Sequence, residues 1–240
     1  MATAQNGRPY MEDFVHVEQP FAGRDDSLYA GVFDGHGGAA VARRAAKEMH
    51  GLVAAGIVRE LPTGIAIATA FRAFDDSVAA EASGSVAAVL VLQGPHLTVG
   101  NAGDSHVLLV SRTESAILTN DHRLTNEAEL RRVVAAGAEI SGPYACIPGG
   151  GGLMCTRSLG DREFRRIGII AEPEVTSRTL TEEDVWILSG SDGVWDGLEP
   201  ELVARIARTA TAAKDAAERI RDAAVENNRD NVSVVAVRWA

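Results

Sequence analysis

The sequence predicts an α+β fold in which helices cover the outer faces of antiparallel sheets. Three apolar segments, at about 85 to 92, 96 to 101 and 105 to 111, are joined by the short turns Gly94-Pro95 and Ala102-Gly103-Asp104, which indicates an antiparallel meander. Helical patterns occur in pairs and do not alternate with strands, as they would in a doubly wound parallel sheet. No long proline-, glycine- or serine-rich linker divides the chain, so one domain is expected.

Before the meander, the chain predicts one strand and two helices. Residues 28 to 33 are apolar and indicate a short buried strand that runs into the glycine-rich turn Asp34-Gly35-His36-Gly37-Gly38. Residues 38 to 50 consist mainly of strong helix formers. Residues 64 to 82 predict a second helix with one apolar stripe, made of Ile67, Ala70, Phe71, Phe74 and Val78.

After the meander, the chain predicts a short helix, a loop and a mixed C-terminal region. Asn126 and Glu129 have the spacing of a capping pair at a helix start, and Gly137 is suited to end that helix. The glycine-rich stretch from Ser141 to Gly152 is expected to be a loop. The remaining elements are strands at 175 to 180, 184 to 190 and 232 to 239, a helix opened by Glu199-Pro200, and a helix at about 212 to 226.

Composition excludes several classes of function. The formal net charge of −10 leaves no basic surface for nucleic acid. There is no signal-peptide core and no apolar run of membrane-spanning length, so we expect a cytoplasmic protein with no membrane partner. Cys146 and Cys155 lack the spacing of a structural zinc site. They are expected to be reduced thiols, with a reversible disulfide between them as the alternative.

Carboxylates at strand ends and in turns are the main functional signal. Hard divalent cations bind such oxygen ligands, gathered from distant parts of a chain. The sequence therefore predicts a metal-dependent hydrolase that acts on a phosphate group. The segments concerned are Arg8-Pro-Tyr-Met-Glu12-Asp13, Phe33-Asp34-Gly35-His36-Gly37-Gly38, Asn101-Ala-Gly103-Asp104-Ser105, Ser191-Asp192-Gly193-Val-Trp-Asp196 and Arg229-Asp230-Asn231.

The segment Asp34-Gly35-His36-Gly37-Gly38 is the sharpest of these motifs. Asp34, held at a strand end, has two oxygens that can bridge two cations, and Gly35 lets its carbonyl approach a metal. His36 has a pKa suited to protonating a leaving group. An ordinary glycine-rich turn explains this motif equally well when it is taken alone. A solvated surface explains Glu12-Asp13, but several carboxylates at strand ends together favour a binuclear cation site.

The ordered set of motifs resembles the metal-dependent serine/threonine protein phosphatases of the PPM, or type 2C, family. The segments Arg157-Ser-Leu-Gly-Asp161, Asn120-Asp-His122 and Ala171-Glu-Pro173-Glu-Val175 are also similar to that family. The resemblance covers nearly the whole chain in the right order. It implies one catalytic domain over residues 1–240, built as a four-layer α-β-β-α sandwich of two antiparallel sheets flanked by helix pairs.

The resemblance also assigns ligands for two core ions and a weaker third ion. All-oxygen ligation favours Mg²⁺ or Mn²⁺ over zinc. By motif, Asp34 would bridge the two core ions, and Asp192 and Asp230 would complete the shell of the first. Glu12 and the Gly35 carbonyl would hold the second ion, whose waters Asp13 would orient. Asp104 with Asp192 would hold the third ion.

For catalysis, the resemblance implies that Arg8 binds the substrate phosphate and that His36 acts as the general acid. A hydroxide bridging the metals would attack phosphorus directly, without a phosphoenzyme. Asp161 and Asp196 match family positions without an assigned role. The implied partners are phosphorylated proteins, which are the substrates of a monomeric enzyme. A variable flap is implied at about 162 to 171.

Some features depart from the family, and two other functions stay open. Val86 stands where threonine is usual, with only a packing effect expected, and the first strand must be short because seven residues precede Arg8. The flap region has no tryptophan.

A pseudophosphatase that binds partners without turnover is one alternative, although intact carboxylates argue against it. A phosphatase of small metabolites, or a phosphodiesterase, is the other.

Overall fold

The structure is a computed structural model that describes residues 1–239. The strands are β1 (Ala2–Ala4), β2 (Phe14–Glu18), β3 (Ser27–His36), β4 (Gly84–Gln93), β5 (His96–Ala102), β6 (His106–Ser111), β7 (Ser115–Ile117), β8 (Glu139–Ser141), β9 (Tyr144–Cys146), β10 (Gly152–Leu153), β11 (Leu159–Gly160), β12 (Glu174–Thr179), β13 (Asp184–Gly190) and β14 (Val232–Arg238). The helices are α1 (Ala40–Val58), α2 (Thr63–Ser77), α3 (Glu127–Ala135), α4 (Asp192–Trp195), α5 (Pro200–Arg208) and α6 (Ala213–Asn227), with a 3-10 helix at Arg162–Ile167.

Two antiparallel sheets form the centre of the fold. The larger sheet has the strand order β12-β5-β4-β3-β2, with β11 added against the start of β4. The smaller sheet has the order β1-β14-β13-β6-β7. β3 and β4 pair along their whole lengths, from Ser27 opposite Gln93 to His36 opposite Gly84.

Three layers of apolar side chains hold the sheets and helices together. Val32 and Leu90 from the larger sheet pack with Ile187 and Val235 from the smaller one. Met49 of α1 and Phe71 and Phe74 of α2 cover the outer face of the larger sheet, and Val203 and Ile220 of α5 and α6 cover the smaller one. Each such side chain, when fully buried, contributes on the order of 2 kcal/mol. The result is the four-layer sandwich, and the predicted fold class is confirmed.

Most elements with a strong sequence pattern occur close to their predicted positions. The three strands predicted for the meander occur as β4, β5 and β6, but the meander itself is wrong. β4 pairs with β5, whereas β6 pairs with β13 and β7 in the smaller sheet. The turn at Gly103, where φ is +123°, therefore carries the chain from one sheet to the other, which a turn pattern does not distinguish from a hairpin. The strand predicted at 28 to 33 is longer, because Asp34-Gly35-His36 continues the pairing with β4, and Gly37 and Gly38 make the turn instead. The first strand, β1, is indeed short. In residues 1–239 no helix has the length and apolar character needed to cross a membrane.

The loop predicted from Ser141 to Gly152 is wrong. Residues 139–153 form a small antiparallel sheet with the order β10-β9-β8. Ser141 pairs with Tyr144, so the hairpin turn between β8 and β9 has only two central residues. Gly142 adopts a φ of +57° there, which is the backbone conformation that a tight hairpin turn requires. Glycine content therefore marked the turn of a hairpin, not an irregular loop.

The predicted capping role of Glu129 is also wrong. The Asn126 side chain does cap α3, by accepting a hydrogen bond from the Ala128 amide at 3.1 Å. Glu129 is buried and instead accepts hydrogen bonds from the guanidinium groups of Arg132 (2.6 Å) and Arg157 (2.9 Å) and from the Thr156 hydroxyl (2.6 Å). Two guanidinium groups outcompete a single backbone amide for one carboxylate, because charge-assisted hydrogen bonds are stronger.

Glu129→Gln is expected to lower the free energy of unfolding by about 3 kcal/mol at neutral pH, because it leaves two guanidinium groups beside a neutral amide. Burial alone would raise the pKa of Glu129, but the hydrogen bonds from Arg132, Arg157 and Thr156 lower it to about 2. The folded-state pKa thus lies below the unfolded one, so the stabilisation is present above about pH 4 and is lost as the pH falls toward 2.

Urea unfolding at several pH values measures this effect. Glu127→Gln is the matched control, since Glu127 lies on the same helix with its side chain 82% exposed. Its ion pair with Arg131 is a loose surface contact of 3.5 Å. The control should change stability by less than about 0.5 kcal/mol. Equal effects of the two substitutions would contradict a structural role for the Glu129 network.

Candidate active site

A cavity of about 300 Å³ at one end of the sandwich collects nearly all the residues that the sequence singled out. It contains side chains from both sheets and from the N-terminal segment. Asp13 does not line the cavity and is buried. The predicted residues that line the cavity are Arg8, Glu12, Asp34, Gly35, His36, Asp104, Asp192 and Asp230.

The larger sheet positions one half of the site. Phe14 on β2 pairs with Phe33 on β3, which brings the preceding Glu12-Asp13 beside Asp34 and Gly35. A Cβ atom at Gly35 would lie 2.5 Å from the Glu12 carbonyl oxygen, so only glycine fits this approach. The Glu12 carboxylate accepts a hydrogen bond of 2.6 Å from the Gly38 amide, just before α1.

The smaller sheet positions the other half. Asp192 begins α4 directly after β13, and Asp230 directly precedes Asn231 and β14. The Asn231 side chain accepts a hydrogen bond from the Glu12 amide (2.8 Å) and donates to the carbonyls of Gln5 (2.8 Å) and Tyr10 (3.0 Å). Asn231, which the sequence gave no role, therefore ties the N-terminal segment to the Asp230 side of the site.

Burial and mutual repulsion make these carboxylates unusually basic. Burial, together with the negative charges of Asp192, Asp13 and Asp104, raises the pKa of Asp34 well above its usual range. Burial and the charge of Asp104 raise the pKa of Asp192 to about 7, and burial raises that of Asp13 to about 6. One oxygen of Asp13, Oδ2, is buried without a hydrogen-bond partner. Such a set of oxygen donors, short of positive charge, fits divalent cations.

Two arginines supply part of the positive charge within the protein itself. Arg8 forms an ion pair with Asp230. Arg123 donates from Nε to Asp104 at 2.6 Å and from its terminal nitrogens to Asp196 at 3.1 Å and Asp192 at 3.5 Å. The sequence did not identify Arg123, although it directly follows the Asn120-Asp-His122 segment. Its guanidinium lies among the carboxylates expected to hold a third ion.

His36 is paired with the carboxylate of Asp161. His36 Nε2 lies 2.7 Å from Asp161 Oδ2, which also accepts a hydrogen bond of 2.6 Å from the Ser158 hydroxyl. Burial by itself lowers the pKa of His36, but the hydrogen bond and charge of Asp161 outweigh this effect and raise it. Asp161 matched a motif without an assigned role, and the structure places it in contact with the expected general acid.

The small sheet forms part of the cavity wall. Tyr144, the Gly152–Cys155 segment and Val86 line the cavity, whereas the 3-10 helix of the expected flap borders a separate cavity with Arg72 and Asp75. Cys155 is a free thiol, and burial with the nearby charge of Asp104 raises its pKa well above the usual value. A thiolate is therefore disfavoured at this position, and Cys155 is not suited to act as a nucleophile.

Known proteins resemble this chain in both sequence and fold. The profile of the family described as "Protein phosphatase 2C" matches residues 1–232. "Protein phosphatase 2C homolog 1" of Saccharomyces cerevisiae is 30% identical over 253 residues, which covers 96% of this chain and 88% of the yeast protein. "Protein phosphatase 2C 56" of Arabidopsis thaliana is 34% identical over 231 residues, covering 84% of this chain and 52% of the plant protein.

"Protein phosphatase 2C homolog 2" of Hypocrea jecorina is 32% identical over 222 residues, covering 86% of this chain and 49% of the relative. The chain thus spans about half the length of the Hypocrea and Arabidopsis relatives.

Two solved structures share the fold. "Crystal structure of serine-threonine phosphatase 2C from Toxoplasma gondii" has a TM-score of 0.85 and 19% identity, covering 100% of this chain and 93% of that chain. "Structure of a C.elegans sex determining protein" has a TM-score of 0.85 and 24% identity, covering 99% of this chain and 63% of that one. With the family match over residues 1–232, the chain belongs to the protein phosphatase 2C family of metal-dependent serine/threonine protein phosphatases.

Proposed function

We propose that this chain hydrolyses phosphoserine and phosphothreonine in proteins by direct attack of hydroxide on phosphorus, with no phosphoenzyme. The observation that carries the proposal is the meeting of Glu12, Asp34, Asp192 and Asp230, from both sheets, in one cavity. A degenerate binding protein has no need to keep all four buried or half-buried carboxylates. Phosphorylated proteins are the proposed substrates, and the cytoplasmic location and monomeric state stay predictions.

The donor set favours Mg²⁺ or Mn²⁺, because every ligand offered is oxygen. Asp34 would serve both ions. Asp192 and Asp230 would complete the ligands of one, and Glu12 with the Gly35 carbonyl would hold the other, with Asp13 behind them. When bound, such ions lower the pKa of a water molecule to near neutrality and neutralise charge on a phosphate.

The protein groups around the cavity supply binding and proton transfer. Arg8 would bind the phosphate of the substrate in the bidentate manner of guanidinium groups, which requires it to release Asp230. The His36 imidazolium would protonate the departing seryl or threonyl oxygen. Asp161 holds one edge of the ring through Nε2, so Nδ1 is the nitrogen left to face the substrate.

A third ion at Asp104 and Asp192 would have to displace Arg123, whose guanidinium bonds both carboxylates. Like-charged groups cannot share this space at low cost. The third site is therefore proposed to be a weak one in this chain, in which Arg123 competes with the cation.

Asp192→Ala should lower Mn²⁺-dependent phosphate release from a phosphothreonine peptide by at least about a hundredfold, because it removes a proposed ligand of the first ion. Asp222→Ala is the matched control, since Asp222 lies on α6 with its side chain 65% exposed and pairs with its neighbour Arg221. Release of phosphate from sugar or nucleotide phosphates but not from the peptide would favour the small-metabolite alternative. No release from folded wild type with Mn²⁺ would favour a pseudophosphatase.

The pKa shifts predict how pH affects the metal-free protein. Asp192 and Asp13 have folded-state pKa values of about 7 and about 6, above the unfolded values, so the folded state binds more protons. Their contribution to stability is therefore present at low pH and is lost as the pH rises toward 7. Bound Mn²⁺ offsets the repulsion, so its effect on the melting temperature Tm should be larger at pH 8 than at pH 5.5.

Thermal unfolding with chelator and with Mn²⁺ at both pH values tests this. Asp192→Asn should raise the metal-free Tm at pH 8 by roughly 2–4 °C, because it removes a buried like charge at a functional site. Asp222→Asn should leave it unchanged. A fall in the metal-free Tm of the Asp192 variant would show that the carboxylates do not repel one another as the structure indicates.

Substitution of Arg123 tests the proposed competition. Arg123→Gln should tighten binding of the weakest Mn²⁺ ion by about tenfold, as counted by electron paramagnetic resonance of free Mn²⁺. Arg131→Gln is the control, since Arg131 lies on α3 with its side chain 72% exposed. Unchanged Mn²⁺ affinity in the Arg123 variant would mean that the guanidinium does not occupy the third site in solution.

A further inference from the structure

A second group of metal-type ligands lies on β2 and α1, outside the active site. His16 and Glu18 are two positions apart on β2, so their side chains share one face of the sheet. His50 projects from α1 onto the same face. The Nε2 atoms of His16 and His50 lie 3.6 Å and 3.7 Å from Glu18 Oε2. In residues 1–239, this is the only trio of histidine, cysteine and acidic side chains whose ligand atoms all lie within 4.8 Å of one another.

This group is separate from the active site. His16 pairs with Gly31 and Glu18 with Tyr29, three and five residues before Asp34 on β3. At about 3.3 Å per residue, the distance along the strand is roughly 10–16 Å. The three side chains line no part of the active-site cavity.

The contacts are not those of an ordinary ion pair. Separations of 3.6 and 3.7 Å are longer than the roughly 2.8 Å of a charge-assisted hydrogen bond. The two imidazole rings stack with centroids 4.1 Å apart and planes at 17°. Burial and, second, the adjacent His16 lower the pKa of His50, which favours its neutral form, the form that binds metals.

Several polar atoms here lack a partner. His16 Nε2, His50 Nδ1 and the Tyr29 hydroxyl are buried and accept or donate no hydrogen bond in the described chain. The Tyr29 ring lies 6.0 Å from the ring of His16 and 6.1 Å from that of His50. Of these three atoms, His16 Nε2 is the one that faces Glu18 Oε2, so a cation bound between them would give it a partner.

We propose that His16, Glu18 and His50 bind a divalent transition-metal cation, with Zn²⁺ or Co²⁺ as the best match. Two imidazoles and one carboxylate form a ligand set that suits these ions and not Mg²⁺. Tetrahedral bonds of 2.0–2.1 Å place neighbouring ligand atoms about 3.3–3.4 Å apart, so the two nitrogen–oxygen separations need to shorten by about 0.3 Å. The lone pair of each imidazole nitrogen lies in its ring plane, so the two stacked rings must also turn out of their nearly parallel arrangement to point at one ion. The side chains are 26–40% exposed, so an ion can enter from solvent and keep a water ligand.

Such an ion would connect two elements that also serve the active site. β2 directly follows Glu12-Asp13, and α1 follows the Gly37-Gly38 turn. His50 lies near the middle of α1, so the ion would link the helix to the edge strand of the larger sheet. Binding to the folded state alone stabilises it, so Zn²⁺ should raise the Tm in proportion to its affinity.

The test uses the chelator-stripped 240-residue chain with a large excess of Mg²⁺, so that mass action keeps the active-site carboxylates occupied by Mg²⁺. Equilibrium dialysis with Zn²⁺ should show one tightly bound ion per chain. Electron paramagnetic resonance with Cu²⁺ as the probe should show coupling to imidazole nitrogen. His50→Gln and His16→Gln should each weaken Zn²⁺ binding by about tenfold or more and remove the nitrogen signal of the lost ring.

His96→Gln is the matched control, because His96 is exposed at the start of β5 and contacts Thr179. It should bind Zn²⁺ as the wild type does. Circular dichroism in chelator identifies any variant that fails to fold, and Glu18→Gln then provides an independent third test. Zn²⁺ binding that survives in folded His50→Gln, or its absence in wild type with Mg²⁺ present, would overturn the proposal. Neither readout depends on phosphatase activity.

Discussion

The pairing of β3 with β4 in the middle of the larger sheet is the constraint on which the candidate active site depends. It extends to His36 opposite Gly84, so the Asp34-Gly35-His36 segment is held as a strand and has little freedom to move. A slip of one residue would turn Asp34 and Val32 away from the smaller sheet and toward the helix layer on the opposite face. The buried packing of Val32 and Leu90 against Ile187 and Val235 opposes such a slip.

The same packing brings the two sheets together at the end where their charged loops lie. Asp192 follows β13 and Asp230 precedes β14, so both reach the cavity only because the sheets are stacked face to face. The resulting cluster of carboxylates opposes folding in the absence of cations, as the raised pKa values of Asp34 and Asp192 show. Functional sites commonly keep such unfavourable arrangements, and the rest of the fold compensates for them.

Arginine side chains compensate part of this repulsion. Arg8 and Arg123 each lie against carboxylates of the cavity, so the protein supplies some of the positive charge that divalent ions would otherwise provide. A third arginine network surrounds Glu129, next to the segment that leads into the cavity wall. These networks differ in consequence. The charges at Glu129 are paired for stability, whereas those in the cavity would have to rearrange to admit the proposed cations and phosphate.

The sequence by itself determined the elements with a strong local pattern and the residues carried by recognisable motifs. The positions of β4, β5 and β6 and of the helix pairs follow from hydrophobic periodicity and turn residues, which act over a few positions. The placement of β6 in the smaller sheet, and not beside β5, does not follow from them. The acidic motifs predicted eight residues that line one cavity, because the required residue types are spelled out in short segments. Their individual roles stay predictions, since gathering residues in one cavity does not assign them to particular ions or steps.

Only the tertiary structure decided which distant side chains meet. Arg123 and Asp192 are 69 positions apart, and His36 and Asp161 are 125 apart, so no local pattern links them. Glu129 has the spacing of a helix cap, yet its carboxylate accepts a hydrogen bond from Arg157, because a guanidinium ion binds a carboxylate more strongly than a backbone amide does. Likewise His50 reaches His16 and Glu18 only because α1 packs across β2. Contacts of this kind depend on the relative placement of whole elements, which the packing of the core sets and local sequence does not encode.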